Sequence, residues 1–255
     1  MEVLFKIFVC FISGMGAGLG TGFAGLSAAA VISPMLITFL DVSAYEAIGI
    51  ALASDVLASF ISAYTYGKSR NIDLKNGIIM LISVLIFTFI GSLASSNISN
   101  DAMGSFSKFM TLLVGLKFIF KPITKEKDAR KKNDSILIKN IKSILCGSLI
   151  GFVCGFVGAG GGMLMLLVLT SVLNYDLKTA VGTSVFVMTF TALTGAISHF
   201  SISGKPDFFI MILCILFTLI WARIGAHWAN KTDVKKLNRM CGIVLTILGI
   251  IMFIV

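Results

Sequence analysis

An all-α, polytopic membrane fold built from two related halves is what this sequence predicts, and three observations predict it. The chain is 57% hydrophobic and only 13% charged, with a mean hydropathy of +0.98, whereas a soluble domain carries charge on roughly a quarter of its residues. Two exceptionally long runs, Ile7 to Leu40 and Ser143 to Tyr175, are free of charge. Each contains a glycine-rich block, GLGTGFAG at Gly18 to Gly25 and GFVCGFVG at Gly151 to Gly158, so that the second block repeats the first about halfway along the chain.

Neither long run fits one ordinary span, since a straight helix of that length reaches about 50 Å against roughly 30 Å of hydrocarbon. Breaking each run at its glycines gives two shorter helices, as a kinked span or as a re-entrant hairpin. Backbone freed by such a break finds no partner in lipid, so it must lie against protein or a polar cavity, and two related breaks imply one shared cavity. The other apolar runs are single spans near residues 44–66, 76–96, 103–120, 178–200, 207–228 and 234–255, the third being interrupted by Lys108 and Lys117. The early Lys6 and the apolar run behind it mimic a signal peptide, but cleavage near Gly16 to Thr21 would destroy a block that the second half repeats, so the segment is expected to be retained.

The halves match beyond the glycines. At the offset set by the two blocks, Ala47 and Gly49 correspond to Ala180 and Gly182, and after a one-residue insertion Asp73, Gly91 and Gly115 correspond to Asp207, Gly225 and Gly249. The expected organisation is a first transmembrane repeat over 1–120, a connector over 121–142 and a second repeat over 143–255, each repeat a broken segment followed by three spans. The connector holds eight basic residues against Glu126, Asp128 and Asp134, which places it in the cytoplasm. Lys68, Arg70 and Lys75 follow one span, and Lys231, Lys235, Lys236 and Arg239 follow another. All three basic connectors share a side if each long run enters and leaves on one face, which inverts the halves relative to each other and puts both termini outside.

The GFxG block followed by small residues, at Gly22 to Ala30 and Gly155 to Gly162, and the AVGTS block at Ala180 to Ser184 resemble the hallmark of the sulfite exporter TauE/SafE family, also called the toluene sulfonate uptake permeases. The similarity extends over roughly residues 8–253. It implies a secondary transporter that moves a small anion, sulfite or an organosulfonate, across the bacterial inner membrane. The chain departs from the pattern in its first half, where Gly49, Ile50 and Ala51 replace the Gly-Thr-Ser step kept at Gly182, Thr183 and Ser184. That shifts the expected substrate contacts toward the second half.

An oxyanion in a midplane site needs donors without bulk, and glycine lets it approach backbone N–H groups at a helix N-terminus. The expected substrate-binding residues are Thr21, Gly22, Gly25 and Ser27 from the first break, Gly155, Gly158, Gly160, Gly161 and Gly162 from the second, and Thr183 and Ser184 on the helix that follows. The competing reading is that GxxxG spacing, as in Gly18 to Gly22 and Gly151 to Gly155, simply packs membrane helices. Asp55, about nine residues inside its span, is expected to couple transport to a proton or a sodium ion, or else to be a hydrogen-bonded structural carboxylate. Its counterpart at the repeat offset is Met188. Arg223 is expected to snorkel to the interface, His199 and His227 to lie near helix ends there, and Cys154 to pack or to line the cavity.

Other functions are poorly supported by the residues. The net charge of +9 is crowded into connectors rather than into a nucleic-acid-binding face. GAGGGM lacks the Lys-Ser/Thr of a phosphate-binding loop, no Cys/His spacing marks a metal site, and no Ser motif pairs with a histidine as a hydrolase would require. The sequence therefore predicts no catalytic residue, no cofactor and no metal. An anion channel is the nearest alternative, because the same donors would suit a continuous pore.

Overall fold

The computed structural model describes residues 2–96, 98, 99, 136–157, 161–173, 175 and 177–229, with isolated positions between 101 and 120 and between 239 and 254. The spans expected at 103–120 and 234–255, most of the connector, and Gly158 and Gly160 lie outside the described residues. Among the described residues eight helices are defined: α1 Glu2–Ala24, α2 Ala29–Leu40, α3 Ala44–Lys68, α4 Leu74–Ser95, α5 Ile136–Val157, α6 Gly161–Ser171, α7 Leu177–Ser203 and α8 Phe208–Ala229. Five of them, α1, α3, α4, α7 and α8, contain stretches of 19 to 25 residues long and apolar enough to cross a membrane. Exposed Phe8, Phe60, Ile82, Leu149, Ile197 and Ile212 give the bundle an apolar exterior, which water would not tolerate and lipid does.

The first long apolar run is interrupted where its glycines fall, and the second has separate helices defined on either side of residues 158–160. Each gives a full-length helix followed by one of half length, 23 and 12 residues in the first run, 22 and 11 in the second. Gly25 makes the first interruption by taking φ +62°, a left-handed conformation that only glycine enters without steric cost. The half-helix α2 ends on Asp41, also left-handed at φ 52°, whose N–H caps the Leu36 carbonyl. α3 then starts on Ser43, whose hydroxyl accepts from the Glu46 N–H at 3.4 Å. Ser43→Ala is expected to remove about 1 kcal/mol, read as a small fall in the unfolding temperature of the detergent-solubilised protein.

Side-chain contacts fix the helix directions. Along α1, Gly14, Gly18 and Gly22 meet Phe217, then Thr218 and Ala222, then Ala222 and Ala226 of α8, so these two helices run parallel. Along α5, Gly147, Gly151 and Gly155 meet Ser83, Val84 and Thr88 of α4 in the same ascending order. The two rows lie at the same sequence offset as the two glycine blocks, and their contact points Val84 and Thr88 lie at that offset plus one residue from Thr218 and Ala222. α3 and α7 cross antiparallel, since Gly49 meets His199 and Phe200 while Gly182 meets Tyr66 and Asn71. These two are the central helices: 67% of the most apolar window of each is buried, against 39% in α1 and α4 and 28% in α8.

It follows that α1, α3 and α8 begin at one end of the bundle, where the Asp207 N–H donates to Glu46 at 2.9 Å. α4, α5 and α7 begin at the other, where Tyr175 donates to Asp73 at 2.6 Å. The half-helix α2 therefore returns toward the end from which α1 set out, and α6 does the same after α5. Of the two forms left open by the sequence, the long runs take the hairpin. Lys68, Arg70 and Lys142 fall at the same end, and α8 finishes there.

Candidate functional site

The two breaks meet near the middle of the bundle. A Cβ on Gly162, in the first turn of α6, would strike the Gly25 carbonyl, come within 2.8 Å of the Ser27 nitrogen and 2.7 Å of the Met188 sulfur. Only a residue without a side chain permits that approach. Ser184, in the second turn of α7, directs its hydroxyl to the Gly25 carbonyl at 3.4 Å and lies 3.7 Å from Met188.

Asp55 lies beside this junction, 1% exposed and close to the middle of α3. Ser27 Oγ donates to its Oδ2 at 2.8 Å and Ser59 Oγ to its Oδ1 at 3.0 Å. The Ala28 N–H, at the start of α2, also faces the carboxylate, so the partial positive charge of that helix terminus falls on an acid. Thr21 lies against it as well, with its hydroxyl hydrogen directed to the Ala17 carbonyl at 3.0 Å. Cys154 on α5, at the sequence offset of the glycine blocks from Thr21, lies near enough to Asp55 to feel its charge. Among the described residues no Lys, Arg or His lies against the acid.

The sequence-predicted site residues therefore divide. Thr21, Gly25, Ser27, Gly162, Ser184 and Asp55 come together, and Gly161 joins them through Cys154, whose sulfur would be 2.9 Å from an added Cβ. Gly22 and Gly155 do not face this junction with their Cα faces, which pack on the backbones of α8 and α4. Helix packing is thus what their GxxxG spacing accomplishes. Thr183 points away from its neighbour Ser184 and accepts the Asp73 N–H at 3.0 Å, tying down the α3–α4 connector.

Two residues stand apart from the sequence expectation. His199, expected at an interface, is fully buried; its Nε2 lies 3.1 Å from the Gly155 carbonyl and its ring 4.1 Å from that of Tyr45. The reason is tertiary: α7 crosses α3 near its own end, and Tyr45 covers the imidazole. Tyr66, at the same sequence offset from His199 as Gly22 from Gly155, makes the matching contact by donating to the Gly22 carbonyl at 3.3 Å. Ser59 is absent from the expected site, although its i+4 spacing from Asp55 on one helix is a usable signal. His227 and Arg223 are exposed on α8, as expected of interfacial residues.

The junction is closed in this conformation. Thr21, Ser27, Asp55, Ser59, Thr183 and Ser184 are each 3% exposed or less, and the described parts of the two breaks touch instead of flanking the open hollow expected from the sequence. The reason is that glycine at Gly162 lets α6 close directly onto the Gly25–Ser27 backbone. A groove of about 550 Å³ lined by Leu4, Phe5, Phe8 and Phe217 lies on the apolar exterior, remote from this chemistry.

Comparison with known proteins agrees with this architecture. The chain is 26% identical over 260 residues to the probable membrane transporter protein YunE of Bacillus subtilis (strain 168), covering 94% of this chain and 95% of that protein. It is 26% identical over 263 residues to a probable membrane transporter protein of Methanocaldococcus jannaschii, with 96% and 92% covered. No solved structure matches at a significant level. The family model described as sulfite exporter TauE/SafE matches residues 10–252, nearly the whole chain. With that coverage, this multi-pass membrane protein belongs to the sulfite exporter TauE/SafE family of membrane transporters.

Proposed function

We propose that the protein is a secondary carrier of a small anion, sulfite or an organosulfonate, working by alternating access around the junction of the two breaks. The observation that carries this reading is the meeting of two interrupted helices deep in the bundle, with buried hydroxyls and a buried acid around the point of contact. Ser27, Ser184 and the first N–H groups of α6 at Gly161 and Gly162 supply donors to the anion, and the half-helix termini of α2 and α6 add favourable potential. Asp55 couples anion movement to a cation, a proton or sodium.

The antiparallel crossing of α3 and α7, together with glycine rows that repeat at one offset, supports two inverted repeats of the kind that rock against each other in carriers. The end bearing Lys68, Arg70 and Lys142 is then cytoplasmic. The buried histidine has a structural use, its Nε2 lying 3.1 Å from the Gly155 carbonyl.

The test is flux into proteoliposomes with sulfite, methanesulfonate and sulfoacetate outside. Saturable uptake that is accelerated by anion preloaded on the far side is the expected result. Large unitary currents in planar bilayers would instead establish the channel, and flux with none of these anions would overturn the substrate assignment.

A further inference from the structure

We infer that Asp55 and the transported anion compete for one set of donors, so that each anion is bound together with a proton taken up by Asp55. This deepens the carrier reading and rests on it. As the structure stands, the donors around Asp55 are already engaged: Ser27 Oγ and the Ala28 N–H from the first break, and Ser59 Oγ from α3 itself, all serve its carboxylate. The acid occupies the very terminus of α2 at which a free oxyanion would be received. In the second half the counterpart of Asp55 is Met188, which carries no charge, so the built-in anion belongs to one half only.

An incoming oxyanion and an ionised carboxylate at this spot repel each other, with no described cation between them to relieve it. Protonation removes the conflict. A neutral carboxylic acid needs an acceptor for its new O–H, and Thr21 provides one: its own hydrogen is spent on the Ala17 carbonyl, which leaves its oxygen lone pairs available. With the negative charge gone, Ser27 Oγ and the Ala28 N–H bond the carboxyl more weakly and give way to the anion, joined across the junction by Ser184, whose present bond to Gly25 is long at 3.4 Å.

The surroundings favour a proton over a metal cation. A hard cation takes several oxygen ligands, yet the Cys154 thiol lies near Asp55 on α5 and the Met188 thioether lies across the junction, 3.7 Å from Ser184 Oγ. Among the described residues, the titratable and charged groups near Asp55 reduce to the Cys154 thiol; α1 brings Thr21, the first break brings Ser27, and Ser184 of α7 stands across the junction on the Gly25 carbonyl. The proton comes from the water on the side where the site is open, and it returns to water on the other side when the anion leaves.

Methanesulfonate is the probe that separates the possibilities, because it carries no proton of its own near neutral pH. Calorimetric titration of the purified protein in two buffers of different ionisation enthalpy is expected to give one proton taken up per anion bound. Infrared difference spectra of the unmodified protein are expected to gain the band of a protonated carboxyl group on binding. Asp55→Asn is expected to bind the anion with no proton uptake, and Ser27→Ala to bind it about tenfold more weakly. Binding without uptake by the unmodified protein, uptake that survives in Asp55→Asn, or binding that requires sodium would each overturn the inference while leaving the carrier intact. No binding of methanesulfonate, sulfite or sulfoacetate would overturn the carrier reading itself.

Discussion

Gly155→Leu is expected to prevent the protein from folding into its helical bundle, the largest effect of any single change considered. Any Cβ at this position would strike the Thr88 carbonyl and fall 2.9 Å from the Ser92 nitrogen, atoms of the α4 backbone that cannot swing aside. The Gly155 carbonyl is also the meeting point of three helices, accepting Ser92 Oγ from α4 at 3.3 Å and contacting His199 of α7 at 3.1 Å. Gly155→Ala already overpacks the interface and is expected to cost about 3 kcal/mol; leucine adds three more carbons with nowhere to go. The control is Gly67→Ala, where a Cβ would meet only Ile72 at an ordinary 3.4 Å, and the change should stay within about 0.5 kcal/mol. Thermal unfolding in detergent orders the three variants. Equal stability for Gly155→Leu and Gly67→Ala would contradict the packing described for α4 and α5.

Asp55→Asn is expected to leave the fold in place and to remove concentrative transport, by at least about tenfold, while exchange of anion for anion continues. Asparagine keeps the shape and one acceptor oxygen, so at most one of the two serine hydroxyls loses its partner, a cost of about 1–3 kcal/mol. Asp55→Leu removes the acceptor for both Ser27 and Ser59, and its expected effect is on stability as much as on transport. Comparing gradient-driven uptake with counterflow in the same proteoliposomes separates coupling from folding. Gradient-driven uptake that persists unchanged in Asp55→Asn would remove Asp55 from the coupling step.

Much of the architecture was legible in the sequence because membrane physics leaves few choices. A charge-free run too long for one span must break, and Gly25 supplies the left-handed turn at which the first one does. The described spans α3, α4, α7 and α8 begin and end within about three residues of the expected bounds, since the first charge or turn residue outside hydrocarbon marks each end.

The site was legible only in part, for reasons that are tertiary. One glycine motif turned out to do two jobs: Gly22 and Gly155 let helix backbones touch, while Gly25 and Gly162 let the two breaks touch. Spacing alone does not separate these, because both tasks select the smallest residue. Thr183 and Ser184 are adjacent yet point to different neighbours, about 100° apart around α7, one to the α3–α4 connector and one to the first break. The burial of His199 depended on how α7 crosses α3, which no local pattern records. Asp55 was conspicuous as a charge within a span, but its strongest partner, Ser27, comes from across the break, 28 residues away.

Alternating access requires the closed junction to open to water from each side in turn. The direct measurement is the reactivity of Ser184→Cys, in a protein whose native cysteines have been replaced, toward a membrane-impermeant thiol reagent applied to vesicles of either orientation. The account predicts labelling from both faces, slowed by methanesulfonate from whichever face it is added. A cysteine at this position that reacts from neither face, in the presence or absence of the anion, would contradict it.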